Sequence, residues 1–312
     1  EEPPISACDC DSAYIPVCGV NGITYANDCM AACEGVAVLY NGSCVQDPLN
    51  VCEVGVKIFL QGALVDAEAG LMRDDLRVQN LLPLNEPFSA LPYFTHLNGG
   101  GETVAPFVFN VTGANAITDW VFLELRDESY NLLATHSALL QRDGDVVDVD
   151  GESPVAFNNL EEGDYYVAVR HRNHLGVMTA NAIHLTGDFA TTGKVDFSDL
   201  NIPTYGENAQ TVVNGKRAMW GGNTAGGKTI VFQGQDADIN GTFFDVLTAA
   251  ENMNGDVTYV CVGYNTGDSN MNCEAIFQGA GNEIDLSFFN ILTHPQNPEN
   301  LINFIIQEQI PE

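Results

Sequence analysis

Basic side chains are scarce in this sequence. Its 312 residues carry 11 lysines and arginines against 42 acidic residues, a formal charge of −31. Nucleic acid and anionic membrane surfaces would repel such a chain, so neither is an expected partner. Acidity this strong suits high-salt or divalent-rich water, where screening shortens self-repulsion. Long apolar runs are missing as well: no stretch reaches the roughly 18 residues of a membrane span. Catalytic signatures are absent too. There is no G-x-S-x-G, no phosphate-binding glycine loop, no dinucleotide fingerprint and no zinc-protease motif. Forty-two carboxylates always supply coincidental pairs, and nothing singles one out, so a non-enzymatic protein is expected. The two tryptophans, Trp120 and Trp220, read as core residues.

What the chain does contain is a cluster of six cysteines: Cys8, Cys10, Cys18, Cys29, Cys33 and Cys44. The segment holding them is too short for an adequate apolar core, and an even count at tight spacing reads as a disulfide framework. Such bridges persist in oxidising surroundings, which places the protein outside the cell. The sequence opens on Glu1 rather than Met, the form expected of a secreted chain after signal-peptide removal. Three further cysteines remain. Cys261 and Cys273 lie in one small region and are expected to pair, leaving Cys52 as a buried free thiol or an intermolecular bridge.

The stretch PVCGVNGITYANDCMAACEGV resembles the signature of Kazal-type serine protease inhibitors. Cys18, six residues, Tyr25, three residues, Cys29, three residues and Cys33 match its spacing, as does the Asn-Gly turn. Spacing alone allows fifteen connectivities. The resemblance implies one of them: Cys8 with Cys33, Cys10 with Cys29 and Cys18 with Cys44. It also implies that Ser12, two residues after the second cysteine, enters a protease's specificity pocket. Asp11, Ala13 and Tyr14 would flank it in the contact loop, and Asn27 would brace that loop. Residues 8–44 hold no Lys or Arg, so a trypsin-like pocket has nothing to grip, and Ser12 suits only an elastase-like or subtilisin-like one. Asp9 and Asp11 add desolvation cost. Asp11-Ser12-Ala13 also looks like an O-glycosylation site of the Asp-Ser/Thr-apolar kind, and a sugar there would block protease docking.

Beyond a polar linker, VQDPLN, residues 51–187 read as short strands separated by Gly, Asn and Asp turns. Tyr165, Val167 and Val169 share one face of such a strand, and Tyr166, Ala168 and Arg170 the other. Six or seven strands at this spacing predict an Ig-like two-sheet sandwich. GLMRDDLRVQNLLPLNEPF has no clean period and reads as an ordered excursion. From about residue 215 an internal repeat appears with an offset of 45: Val231-Phe232-Gln233-Gly234 matches Ile276-Phe277-Gln278-Gly279, and FFDVL matches FFNIL. Each copy is expected to bury the other's apolar face. Whether those two pentapeptides are helices or strands stays open at this length. The predicted class is mainly β: a stapled module (1–48), a β-sandwich (49–190) and a β-rich tandem repeat with calcium-loop-like turns (191–312). Residues 51–312 also resemble the C-terminal region of secreted surface proteins of Bacteroidota-type bacteria, which implies location more than chemistry.

The second copy carries a candidate cation loop. Asp268, Asn270, Asn272 and Glu274 alternate oxygen side chains at every second position, with Glu283 and Asp285 placed to close the shell, as hard cations such as Ca2+ require. The first copy has lost most of these ligands, although Asp236 and Asp238 remain. Asp143, Asp145, Asp148 and Asp150 read as a solvated hairpin. His171 and His174 are three apart at a strand end, which predicts opposite faces and a structural role. The leading expectation is a secreted surface or matrix protein, a structural subunit of a filament or other assembly, joined through strand edges by self-association or to other extracellular proteins. LINFIIQEQI is a candidate for adding to a neighbour's sheet. A protease inhibitor on an anchoring body is the alternative, with a serine protease as partner, and an adhesin is the third reading.

Overall fold

Apolar residues around Cys18 build the first sheet. β1 (Val17–Gly19) pairs antiparallel with β2 (Thr24–Tyr25) and with β3 (Val38–Asn41). Between β2 and β3 lies α1 (Asp28–Cys33), whose first turn is capped by Asn27: its side-chain oxygen accepts from the Met30 N–H at 2.9 Å. Gly35 ends the helix at φ 72°, a left-handed position that a Cβ would strain, while the Val36 N–H returns to Ala31 O at 2.9 Å. The computed structural model describes residues 10, 13–20, 23–43, 50–64, 70–234 and 236–311. The chain divides into two compact units, residues 1–50 and 51–312.

The second unit is mainly β. β4 (Val51–Lys57) buries Cys52, Val54 and Val56 on one face. Short helices α2 (Gln61–Leu64) and α3 (Asp75–Val78) follow, with 3-10 turns at Phe88–Ala90 and Pro106–Asn110. Then come β5 (Ile117–Arg126), β6 (Leu132–Gln141), β7 (Asp145–Val147), β8 (Val155–Asn158), β9 (Gly163–Arg170), β10 (Val177–Met178), β11 (Ile183–Leu185) and β12 (Lys194–Asp196). They hydrogen-bond in the order β10-β9-β5-β6-β7-β4-β12, with β11 on β9 and β8 on β4. β4 serves two neighbourhoods: its first half pairs with β8, its second with β7 and β12. β5 is buried along nearly its whole length because the excursion after α3 covers its outer side. Phe88 and Phe94 pack edge-on against Phe122 at 5.3 and 5.0 Å, and Trp120 Nε1 donates to Pro83 O.

A hairpin, β13 (Gln210–Val213) and β14 (Lys216–Met219), turns through Asn214-Gly215, both at positive φ. The repeat follows. Copy one is β15 (Thr229–Val231), α4 (Ile239–Thr248) and β16 (Val260–Val262); copy two is β17 (Glu274–Ile276), α5 (Ile284–Thr293) and β18 (Ile305–Gln307). FFDVL and FFNIL are therefore helical. The last strand of each copy pairs with the first strand of the other: β16 with β17, and β18 with β15. The two registers are related by the 45-residue shift, since Ile230 faces Ile306 and Ala275 faces Cys261. Within LINFIIQEQI, β18 thus pairs with β15 on one side in a two-stranded sheet. The boundary expected near residue 190 also fails to separate compact units, because helix α2 and a buried polar network tie the repeat to the sheet.

Candidate functional site

Asn27 organises the loop that the Kazal resemblance singles out. While its oxygen caps α1, its Nδ2 donates to Ala13 O at 3.1 Å, and it is only 7% exposed. The Ile15 N–H donates to Ala26 O at 2.9 Å, so the segment is held at two points. Beyond that brace, Tyr14 and Ile15 are 71% and 68% exposed. A backbone fixed from inside with apolar side chains facing out is the geometry of a presented loop. Cys10 and Cys29 form a disulfide with Cα atoms 5.7 Å apart, which ties the loop's start to α1. Cys18 and Cys33 each take part in a disulfide as well. Cys8, Cys44, Asp11 and Ser12 lie outside the described residues. Tyr25 is buried, and its hydroxyl reaches Glu34 Oε2 at 3.3 Å.

Cys261 and Cys273 are free, which corrects their expected pairing. Cys261 faces Ala275 across the β16–β17 pair and packs with Val246, whereas Cys273 belongs to the main core of the sheet. The two sulfurs serve different cores, and proximity in sequence gave no hint of that. Cys52 is fully buried and its thiol donates to Glu161 O at 3.0 Å, so it forms no bridge between molecules.

The candidate cation loop is tightly hydrogen-bonded. Asp268 accepts the N–H groups of Asn272 and Cys273 at 3.0 and 2.9 Å. Glu283 accepts the Ser269 and Asn270 N–H groups, the Ser269 hydroxyl and the Asn270 side-chain amide. Asn272 Oδ1 receives the Glu274 N–H, and Asn270 Oδ1 faces the Arg73 guanidinium. These oxygens engage N–H donors and a cationic side chain, so the loop is held by its own hydrogen bonds. Among the described residues, no group of three or more His, Cys, Asp or Glu side chains is placed to hold a metal ion. Burial pushes Glu283 up to about 9, helped by the charge of Asp268, and burial lifts Asp268 to about 6. In the first copy Asp238 takes the equivalent place, accepting from the Ala225 and Val231 N–H groups, and burial pushes it up to about 7.

Sequence reasoning missed a buried polar cluster. Asp119, on β5, meets His171 Nε2 and Arg172 Nε at 3.0 Å and accepts the Tyr264 hydroxyl at 2.6 Å. Burial raises this carboxyl, but Arg172, His171 and Tyr264 outweigh it and hold it at about 2. The two histidines do not sit on opposite faces. β9 ends at Arg170, and the following turn brings their rings into contact at 4.9 Å. His174 Nε2 accepts the Gly62 N–H, and burial pushes both imidazoles down, so both stay neutral. The signal available in the sequence was the run His171-Arg172-Asn173-His174, which needs buried partners to make sense. Asn173 supplies two of them by donating to Thr266 O and Asp268 O.

Residues 6–44 match the family model described as a Kazal-type serine protease inhibitor domain. The braced loop therefore belongs to a protease-inhibitor-like module. Bdellin B-3 of Hirudo medicinalis is 40% identical over 37 residues, covering 12% of this chain and 66% of the leech protein. Solute carrier organic anion transporter family member 1B3 and the putative member 1B7, both of Homo sapiens, are each 48% identical over 48 residues. Those matches cover 13% of this chain but only 7% and 8% of the transporters. No solved structure matches the chain. Among the described residues no helix is long and apolar enough to cross a membrane.

Proposed function

We propose that the chain is a secreted, non-enzymatic extracellular protein whose Kazal-type module offers its loop to a serine protease while residues 51–312 act as an anchoring body. The observation that carries this reading is the Asn27 brace: one buried side chain caps α1 and holds Ala13 O, behind the exposed Tyr14 and Ile15. A loop already fixed in shape loses little ordering entropy on binding, which is how a short contact becomes a tight one. The target follows from charge. With no Lys or Arg in residues 8–44, an acidic-floored pocket has no partner, so an elastase-like or subtilisin-like protease is the fit. Titration of the fully bridged protein against both classes tests this. Inhibition at micromolar concentrations or below, lost on Ser12→Pro, is expected; no inhibition of either class defeats the reading.

A second reading, a structural subunit of an extracellular assembly, draws on the sheet order, in which β10 and β12 close the ends of the strand path and leave edges for a neighbour. Purified from its source, a monodisperse monomer across concentration and salt would remove it.

A further inference from the structure

The two repeat copies bury different amounts of themselves. A 45-residue shift carries Thr224 onto Ser269, Ala225 onto Asn270, Asp236 onto Gly281 and Asp245 onto Asn290. In copy two this face is filled by the chain itself. Helix α2 lies so close that a Cβ on Gly62 would meet Ser269 O at 1.8 Å. Arg73 Nη1 donates to Asn270 O at 3.1 Å, and Gln61 exchanges amide hydrogen bonds with Asn290. In copy one the corresponding face lines a cavity of about 590 Å³. Tyr93, Asp236, Asn240, Phe244 and Asp245 form its walls, with Leu91 and Pro92 at one side. Among the described residues no lysine, arginine or histidine lines it.

We propose that this cavity receives the guanidinium group of an arginine carried on an extended segment of a partner protein. Three observations converge on that chemistry. The matching face of copy two already holds a guanidinium, that of Arg73, against the residue equivalent to Ala225. Where copy two is neutral, at Gly281 and Asn290, copy one carries Asp236 and Asp245, while Asn240 stands in place of Asp285, so the open face has a net gain of one carboxylate to offer a cationic occupant. The rings of Tyr93 and Phe244 offer stacking surfaces for a planar cation. The fold uses the same device elsewhere, with Arg172 4.5 Å from the ring centre of Tyr264 and Arg170 4.8 Å from that of Phe94. Among the described residues Asp245 receives the Gly267 N–H, through Oδ2, and burial pushes its carboxyl up even though Arg172 pulls the other way, a remaining penalty that an incoming cation relieves. The module of residues 1–50 plays no part in this inference, which stands whether or not a protease is bound.

The test is calorimetric titration of the full chain at low ionic strength with the capped peptide Gly-Gly-Arg-Gly-Gly. Saturable one-to-one binding is expected, weakened by about tenfold or more in the double variant D236N/D245N, the loss expected for charge-assisted contacts. The same peptide with citrulline, neutral and isosteric, should bind as weakly as the double variant does. Asp245→Asn copies what copy two already carries at Asn290, so it is compatible with the fold. Phe244→Ala, at a side chain 59% exposed, gives an independent variant that should also weaken binding. Absence of saturable binding overturns the proposal, as does equal binding of the citrulline peptide or indifference to these variants. Preferential binding of a neutral oligosaccharide overturns it in favour of glycan recognition.

Discussion

The two compact units reach stability by opposite routes, and their cysteines show it. In the first unit the buried apolar cluster is Val17, Tyr25 and Ala31, with Val36 beside it, and its described cysteines are all in disulfides. In the second unit a continuous core runs from Cys52 through the β5 and β9 strands to Cys273, Cys261 lies in a smaller cluster with Val246 and Ala275, and all three cysteines are free and buried. Burial pushes the thiols of Cys52, Cys261 and Cys273 up, the last to about 12, so none is a reactive thiolate at neutral pH. One residue type thus serves as a crosslink where the core is too small and as an ordinary apolar side chain where it is not.

Reduction should break this comparison hardest. With a thiol reductant the first unit should lose its fold, because each native disulfide of a small domain contributes about 2–5 kcal/mol. The second unit should keep its unfolding midpoint. Hydrogen exchange read separately for residues 1–50 and 51–312 checks both halves, and loosening of the larger unit would contradict the assignment of its free thiols. Next in size is Asp119→Asn. It strands the buried Arg172 guanidinium, a kind of loss that costs about 3–5 kcal/mol. Urea unfolding should show that loss in the larger unit alone, with exchange in the first unit unchanged.

The fold was legible in the sequence where local pattern and packing agree. The strand alternation at Tyr165, Val167 and Val169 is realised in β9, and the 45-residue offset reappears in matched helices and matched strand registers. Phe243 to Leu247 stayed ambiguous because a five-residue apolar run fits either period; packing against Phe277 decided it. Pairings distant in sequence stayed hidden. Nothing local says that Asp119 on β5 would meet His171, Arg172 and Tyr264, or that Gln61 would bond Asn290. The cysteine spacing and the Asn27 position of the loop were readable because a stapled module keeps its contacts within a short stretch. Cys261 and Cys273 illustrate the same limit: neighbours along the chain, they face different cores.

Within the second unit, pH separates two kinds of buried carboxyl. Glu283, Asp238 and Asp268 are pushed above their ordinary range, to about 9, 7 and 6. Each contributes stability that is present below about pH 4, the unfolded value, and that is lost as pH rises through its folded value. Asp119, held at about 2, works in reverse: its contribution is present above about pH 4 and is lost as pH falls toward 2. Glu283→Gln, a permanent mimic of the protonated acid, should therefore flatten the decline in thermal midpoint between pH 5 and about 9 while leaving the acid limb in place. An alkaline decline as steep in the variant as in the parent would assign that limb to other groups. Calcium probes the same carboxyls from outside. With Asp268 and Glu283 already bonded to N–H donors, adding it should leave the midpoint where it is, and a rise abolished by Asp268→Ala would overturn that.

The smallest expected effect on stability separates two jobs held by one residue. Asn27→Ala removes the cap on Met30 N and the brace on Ala13 O together. Loss of an N-cap costs about 1 kcal/mol, so the first unit should unfold at slightly lower denaturant. Asn27→Asp discriminates further. Its carboxylate still accepts from Met30 N–H, and the start of α1 favours a negative charge, but it has no N–H to offer the Ala13 carbonyl. The aspartate variant should hold the parent's stability while its protease inhibition falls, because the loop must then be ordered at the moment of binding. If both variants lose stability equally and neither changes inhibition, Asn27 acts only as a helix cap, and the presented loop owes its shape to the Cys10–Cys29 bridge and the Ile15 to Ala26 hydrogen bond instead.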